Sequence, residues 1–235
     1  HSILSATDYG VPQIRKRLFV IASKEKLTNP FPKPTHIVNK SDYQDDLKET
    51  PTLWDAISDF PVIHAREGSE EMDYTFSPKN DFQREMRIGS ERLFNHKAMK
   101  HSKRMVERFQ SMVSGQSGMD VPHHLKPHKR NSNGEISEKV YGQNNRKMFP
   151  DRPCHTIPAS FYANFVHPFL HRNFSAREGA RIQTFPDTFI FKGKSTVVSH
   201  KLLAKEGREE EKFLCQYAQI GNAVPPMLSK AVALN

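Results

Sequence analysis

The sequence predicts an α/β fold, and three local patterns support this prediction. Two short apolar runs, Ser2–Ala6 and Leu18–Ala22, have the composition of β-strands. A helix is predicted directly after Ser175, because this serine can cap the first turn while Glu178, three residues further on, completes a capping box. Pro225-Pro226 predicts the start of a second helix, since proline is favoured at the first helical position. The chain therefore combines strands near its start with capped helices near its end.

The two predicted strands need further cover. The second run is continuous enough to be buried on both faces of a sheet, whereas two strands alone do not form a stable sheet. The chain also begins at His1, without an initiator methionine. We therefore expect a piece of a longer protein, in which a preceding region or a separate partner covers these strands.

Charge is unevenly distributed along the middle of the chain. Between Ser41 and Asp73, ten acidic residues stand against two basic ones. A short helix is predicted there from Leu53, with Thr50 or Thr52 as its cap. Between Asp81 and Pro150 the balance reverses to fourteen basic and seven acidic residues. The acidic part is expected to be a solvated surface, and the basic part is the better candidate for a binding surface.

The basic part contains a second predicted helix. Apolar residues recur at helical spacing from His96 to Ser114, and Gly115 ends the pattern. The opposite face carries five basic residues, which are Lys97, Lys100, Lys103, Arg104 and Arg108. A basic helix face is usually only solvated. Residues 115–150 are rich in Gly, Asn, Ser and Pro and are predicted to form loops, and the charged stretch 192–212 is predicted to be a solvated helix or excursion.

Composition narrows the classes of protein that fit. The 235 residues carry a formal net charge of +9, which suits a polyanionic partner. Two cysteines, Cys154 and Cys215, are too few for a disulfide framework or a CxxC metal site. The histidines show no ligand spacing with these cysteines, so no metal is expected. No apolar run is long enough to cross a membrane, so we expect no membrane partner and a reducing, intracellular setting.

Four segments resemble sequence motifs of the DNA (cytosine-5)-methyltransferases, in the order of that family. They are Tyr9–Ile21 with its Gln-x-Arg-x-Arg pattern, Arg152–Ile157, Arg172–Asp187 and Gln219–Pro226. Four ordered matches make the resemblance specific, although any one of them would be weak. It implies the last two strands and the closing helix of a doubly wound, S-adenosylmethionine-dependent methyltransferase sheet, plus a small irregular α+β target-recognition domain.

The resemblance also implies domain boundaries and site residues. Residues 1–28 would end the catalytic domain, 29–171 would form the target-recognition domain, and 172–235 would return to the catalytic domain. Arg17 would contact the O2 edge of a flipped cytosine, and Arg15 would organise the catalytic loop or the phosphate backbone. Asn222, Ala223 and Val224 would contact the methionine end of S-adenosylmethionine, and the expected DNA-binding residues are Gln13, Lys97, Lys100, Lys103 and Arg104. Gln13, Arg15 and Arg17 alternate along an extended segment and should share one face.

Parts of the family pattern do not occur in this chain. The family's nucleophile lies in a Pro-Cys-Gln motif, whereas Pro153-Cys154 is followed by His155 and comes after the Gln-x-Arg-x-Arg segment. The glycine-rich cofactor loop and the Glu-Asn-Val motif are not found either. The resemblance therefore implies about half of an active site, and we expect the chain alone to be inactive.

Three hypotheses remain open from the sequence. The favoured one is the C-terminal portion of a bacterial, restriction-modification type methyltransferase, cytoplasmic and acting on double-stranded DNA. A second is an inactive DNA-recognition subunit that pairs with a separate catalytic subunit. A third, an RNA-directed relative, is disfavoured by the long variable basic region.

Overall fold

The computed structural model describes residues 1–39, 46–129, 134–137, 144–195, 200–210 and 215–235. The strands are β1 Ser2–Ser5, β2 Gln13–Ile14, β3 Lys16–Phe19, β4 His36–Ile37, β5 Lys48–Glu49, β6 Gly68–Met72, β7 Leu93–Lys97, β8 Arg146–Lys147, β9 Cys154–His155 and β10 Phe165–Val166. The helices are α1 Leu53–Ile57, α2 Asp81–Met86, α3 Lys103–Gln110, α4 Phe161–Asn164, α5 Ala176–Ile182, α6 His200–Lys205, α7 Gln216–Asn222 and α8 Pro226–Ala233. Short 3-10 helices lie at Ala6–Tyr9 and His123–Leu125. Among the described residues these strands pair only two by two.

Two strands are confirmed near the start of the chain, although the second lies at Lys16–Phe19 instead of Leu18–Ala22. The burial on both faces that was expected of the second strand, under cover from outside the chain, is not provided by the described residues. β1 and β3 pair antiparallel, with Ile3 opposite Leu18. Ile3 is 67% exposed, Leu18 62% and Val20 73%. A run of apolar residues indicates burial on both faces only where layers of protein cover both faces. In this structure one apolar face of the pair is open.

The other face of β1 packs on a small core with the last helix. Leu4, Tyr9 and Val11 are buried there against Leu228 of α8. α8 begins at Pro226, as predicted from the proline pair. The end of the chain is thereby fixed beside its beginning.

A larger core surrounds α5, whose predicted capping box is confirmed. The Ser175 side chain accepts a hydrogen bond from the Glu178 backbone N–H, and the Glu178 carboxylate accepts one from the Ser175 N–H. α5 packs against α1, α7 and β7. Phe161 lies so close to Gly179 that an added Cβ would be 2.3 Å from its ring. This glycine allows the helix to be buried on all sides.

The chain leaves α5 through a strained residue. Thr184 has a φ of 65°, a left-handed conformation that is unfavourable for a β-branched side chain. Its hydroxyl accepts a hydrogen bond from the backbone N–H of Met227 at 3.1 Å. The residue therefore connects the end of α5 to the start of α8, across the two cores.

The predicted helix from His96 to Ser114 is wrong in its first part. His96 lies in β7, where its ring is hydrogen-bonded to the Ser175 hydroxyl at 2.9 Å and to the Pro61 carbonyl at 3.0 Å. The helix itself, α3, begins only after Ser102, which caps it. Pairing of β7 with β6 is a long-range contact, and it overrides the local helical spacing.

Two further local predictions can be compared with the structure. α1 begins after Thr52, which forms a capping box with Asp55, so Thr52 and not Thr50 is the cap. The segment Ile220–Asn222 does not form the tight turn that Gly221 and Asn222 indicated, because it is the last turn of α7. Gly221 is needed there for a different reason, since an added Cβ would be 2.4 Å from the backbone of Pro158.

The charged stretch 192–212, predicted to be a solvated helix or excursion, contains the helix α6. Residues 196–199 and 211–212 of this stretch lie outside the described residues.

Candidate functional site

The segments singled out by their motifs meet at one place in the fold. β2 pairs in parallel with β9, so that Gln13 lies beside Cys154 and Ile14 beside His155. The Thr156 hydroxyl donates a hydrogen bond to the Ile14 carbonyl. The first two motif segments, separated by more than a hundred residues, are therefore neighbours.

Gln13 is fully buried, and its amide is bonded to protein on both sides. Its Nε2 donates to Oε1 of Gln183 at 3.1 Å, and its Oε1 accepts from the Ile157 N–H at 2.8 Å. Gln183 in turn donates to the Ile220 carbonyl at 2.9 Å. This chain of amides joins all four motif segments. In this structure Gln13 has no exposed polar group for the DNA contact that was predicted.

Arg15 is also buried, with 1% of its surface exposed. Its Nη1 donates to the Ile157 carbonyl, and its Nη2 donates to the carbonyls of Gly221 and Ala223, each at 2.9 Å. Burial, and then the neighbouring charge of Arg17, lower the pKa of Arg15 to about 10. The guanidinium remains protonated at neutral pH and is bonded to these carbonyls and, at 3.4 Å, to Oε1 of Gln13, not to solvent.

Arg17 differs from both of these residues, because it is only partly buried. It lies in β3 opposite Leu4, and its Nη1 donates to the Lys16 carbonyl at 2.8 Å in an exposed hydrogen bond. Burial lowers its pKa. Of the three side chains predicted on one face, Arg17 is thus the one that can reach a ligand from this structure.

The segment predicted to contact the cofactor begins at Asn222, the last residue of α7. Asn222 and Val224 are exposed, whereas Ala223 is half-buried with its carbonyl bonded to Arg15. An exposed carboxamide beside an exposed apolar side chain fits a group with polar and apolar parts, as S-adenosylmethionine has. These residues fit one part of such a site.

The predicted DNA-binding cations fall into two groups. Lys97, Lys100 and Lys103 are exposed, at the end of β7, in the following loop and at the start of α3. Arg104 is half-buried and donates to the carbonyls of His124 and Lys126 at 2.6 and 2.8 Å. The lysines are free to contact phosphates, whereas this arginine fixes the segment around the second 3-10 helix to α3.

Neither cysteine lies in a position suited to a nucleophile. Cys154 is 1% exposed in β9, and burial raises its pKa, which disfavours the reactive thiolate. Cys215 is 6% exposed and caps α7, its sulfur accepting from the Ala218 N–H at 3.4 Å. Over the described residues, no group of three His, Cys, Asp or Glu side chains could hold a metal. Within the same ranges, no helix has the length and apolar character needed to cross a membrane.

A cavity beside β2 did not emerge from the sequence. It measures about 460 Å³ and is lined by residues that include Ile14, His155, Ser160 and Asn164. Burial, and then the charges of Arg146 and Arg152, lower the pKa of His155. The polar residues Ser160 and Asn164 bond to each other at 2.7 Å. Ile14 and His155 belong to motif segments, but their alternation with buried neighbours is visible only in the structure.

Comparison with known proteins places these features in a family. Residues 1–235 match the family profile described as C-5 cytosine-specific DNA methylase. The type II methyltransferase M.DdeI of Desulfomicrobium norvegicum is 48% identical over 233 residues, which are 98% of this chain and 52% of that protein. The type II methyltransferase M.AquIB of Picosynechococcus sp. is 30% identical over 150 residues, which are 63% of this chain and 90% of that protein. The chain thus spans about half the length of M.DdeI and most of the length of M.AquIB.

The fold is also found among solved structures. A crystal structure from E. coli, described as a prophage-encoded DNA modification methyltransferase, aligns with a TM-score of 0.60 and 20% sequence identity. The alignment covers 98% of this chain and 57% of that one. The α/β methyltransferase fold is therefore shown by structure, and the family by sequence. The chain belongs to the C-5 cytosine-specific DNA methylase family.

Proposed function

We propose that this chain forms the DNA-recognition and closing part of a bacterial DNA (cytosine-5)-methyltransferase. The complete protein transfers a methyl group from S-adenosylmethionine to carbon 5 of a flipped cytosine in a specific sequence of double-stranded DNA, in the bacterial cytoplasm. Residues 1–28, 29–171 and 172–235 are proposed as the end of the catalytic domain, the target-recognition domain and the return to the catalytic domain. The proposal rests above all on the convergence of the four motif segments through Gln13 and Arg15.

Carbon 5 of cytosine is a weak nucleophile, so the ring must be activated by addition of a thiolate at carbon 6. S-adenosylmethionine supplies the methyl group. The role proposed for Arg17 is to place a fixed positive charge beside O2, where negative charge develops during the addition. Its partial exposure and lack of a carboxylate partner among the described residues support this role.

The remaining parts of the site would come from outside this chain. The open apolar face with Ile3, Leu18 and Val20 supports the same view, since exposed apolar patches mark interaction surfaces. We propose that the preceding catalytic region of the complete protein covers this face. Neither buried cysteine is proposed as the nucleophile.

A second function is favoured by one observation. M.AquIB, although matched over 90% of its length, corresponds to only 63% of this chain. A family member of that small size supports the hypothesis of a separate recognition subunit, inactive alone and paired with a catalytic subunit. Whether an open reading frame continues upstream of His1 distinguishes the two functions.

Methyl transfer tests the proposal directly. The chain, alone and within the complete protein or together with its catalytic subunit, is incubated with duplex DNA and S-adenosylmethionine that carries a labelled methyl group. We expect label on cytosine carbon 5 only when the catalytic part is present. Sequence-specific incorporation by the chain alone, or a covalent DNA adduct at Cys154, would overturn the proposal.

A further inference from the structure

Arg15 lies two residues before Arg17, which is proposed to contact the cytosine, and it donates hydrogen bonds to the segment proposed to contact the cofactor. We propose that Arg15 is a positioning residue, whose buried guanidinium fixes the cofactor-contacting segment 221–224 against the strand that carries Arg17. The cofactor and the target cytosine are thereby held at a set separation. This inference rests on the proposed function, and it replaces the role predicted for Arg15 in organising the catalytic loop or the phosphate backbone.

The acceptors of the guanidinium are groups that need a donor. Gly221 and Ala223 lie at the C-terminal end of α7, where the last carbonyls of a helix have no partner within the helix. Arg15 donates to both of them at 2.9 Å from one nitrogen. A buried cation at this end also interacts favourably with the helix dipole. The end of α7 is therefore held by charge-assisted hydrogen bonds from β2–β3.

The same guanidinium holds a third segment. Its other terminal nitrogen donates to the Ile157 carbonyl at 2.9 Å, and Gln13 binds the N–H of the same residue. Gly221 packs directly on the backbone of Pro158 and Ala159, with 2.4 Å to an added Cβ. The end of α7 thus packs against residues 157–159, and Arg15 connects both to the backbone between β2 and β3.

Only arginine has the shape for this task. The planar fork presents several donors in fixed directions, so that one side chain serves three carbonyls in two segments. Lysine has a single nitrogen and cannot reach all three acceptors with the same geometry. The Nε of Arg15 is buried without a hydrogen-bond partner among the described residues, which indicates that the terminal nitrogens carry the interaction.

Loss of the Arg15 guanidinium should affect the binding of S-adenosylmethionine and of duplex DNA differently. Asn222 lies between the two carbonyls that Arg15 holds, and Val224 follows the second of them. Arg15 lies between β2 and β3, and Arg17 follows two residues later in β3. Loss of the fork should release the exposed groups of Asn222 and Val224 from their position, whereas the DNA-contacting lysines near α3 are not part of this junction. Cofactor affinity should therefore fall while duplex affinity is preserved.

The experiment uses the complete protein with Arg15→Lys and Arg15→Gln. Arg177→Lys is the matched control, because Arg177 is equally buried and donates to the carbonyls of Phe94 and Phe189, away from this junction. Dissociation constants are measured by calorimetry for S-adenosylmethionine without DNA and for duplex DNA without cofactor, with Tm in parallel. We expect the Arg15 variants to bind the cofactor about tenfold or more weakly, with duplex affinity within about twofold. Arg177→Lys should lower Tm and leave both constants unchanged.

The outcomes distinguish a positioning role of Arg15 from a role in stability alone. Folded Arg15 variants with unchanged cofactor affinity, or with equal losses for cofactor and duplex, would show that the residue only stabilises the fold. If the Arg15 variants do not fold, Gln13→Met loosens the same junction more mildly and should still weaken cofactor binding, and an unchanged constant there overturns the inference. Failure of the unmodified complete protein to bind S-adenosylmethionine would instead contradict the proposed function.

Discussion

The buried arginines around α5 and the exposed lysines near α3 carry the same charge in two different ways. Arg172, Arg177 and Arg181 are fully buried, and Arg172 binds both oxygens of Glu178 at 2.7 Å. Lys100 and Lys103 are exposed. A guanidinium can be buried because its fork pairs with carboxylates and carbonyls, whereas an ammonium on a flexible stem is easily kept in water. A count of basic residues therefore overestimates the surface available for DNA.

Among single substitutions, the largest effect on stability is expected where a buried arginine is removed. Arg181 binds Asp187 through two nitrogens and donates to Asp59 at 3.1 Å, all three side chains being fully buried. Arg181→Leu leaves two buried carboxylates without this partner, which typically costs about 3–5 kcal/mol of the free energy of unfolding. Denaturant titration measures the loss. The control is Arg92→Leu, because Arg92 pairs with Glu71 and Asp73 at the surface and should cost less than about 1 kcal/mol. Equal losses would remove the distinction between buried and exposed cations.

Arg17 is intermediate in exposure between the buried arginines and the exposed lysines. It is partly buried and is not bonded to a carboxylate among the described residues. In the complete protein, Arg17→Ala should lower single-turnover methylation about a hundredfold to a thousandfold, because a preorganised charge stabilises the transition state more than the ground state. Arg17→Lys keeps the charge but loses the fork, so it should be nearly as damaging. Duplex affinity is followed in parallel. A variant that keeps its rate and loses only affinity would identify Arg17 as a phosphate contact.

Local chemistry explains which parts of the fold could be predicted. The caps of α1 and α5 depend on Thr52 with Asp55 and Ser175 with Glu178, pairs only three residues apart, so the sequence displays them. β7 could not be predicted in the same way, because its spacing also fits a helix and its partner β6 lies more than twenty residues earlier. Pairing with β6 therefore determines that this segment is a strand and not a helix.

Prediction of the candidate site from sequence is limited in a similar way. Alternation along the chain predicts that Gln13, Arg15 and Arg17 share a face, but it does not tell whether that face meets solvent or protein. The answer depends on Ile157, Gln183 and the end of α7, which come from distant parts of the sequence. The motif residues could therefore be found from sequence, while the division between junction residues and ligand-facing residues required the structure.

The buried region should also respond to acid more strongly than the surface. His96, His101 and His167 are buried, and burial lowers their pKa to about 4, 4 and 3. An unfolded histidine titrates near 6.5, so the unfolded chain binds more protons below that pH. Their contribution to stability is complete above about pH 6.5 and is lost as the pH falls toward the folded values. Between pH 7 and 4.5 we expect a loss on the order of 2 kcal/mol for each histidine.

Denaturant titration at several pH values measures this loss. His123→Asn and His124→Asn, at exposed positions of the second 3-10 helix, are the controls and should leave the pH profile unchanged. A free energy of unfolding that stays constant from pH 7 to 4.5 would show that the three rings are protonated or solvated in the folded protein.

The smallest effect is expected at the surface, where Lys100 and Lys103 are proposed to contact phosphates. Each phosphate contact releases counterions, so the slope of log K against log salt should flatten by roughly one for each lysine replaced with Ala. Arg104→Ala is the matched control from the neighbouring position, because its guanidinium already binds the carbonyls of His124 and Lys126. That variant should lower stability and leave the slope of duplex binding unchanged. If Arg104→Ala flattens the slope while the double lysine variant does not, the half-buried arginine contacts DNA and the exposed lysines are merely solvated. Exposure of a basic side chain would then not predict contact with DNA, and the DNA contact of each basic residue would have to be measured individually.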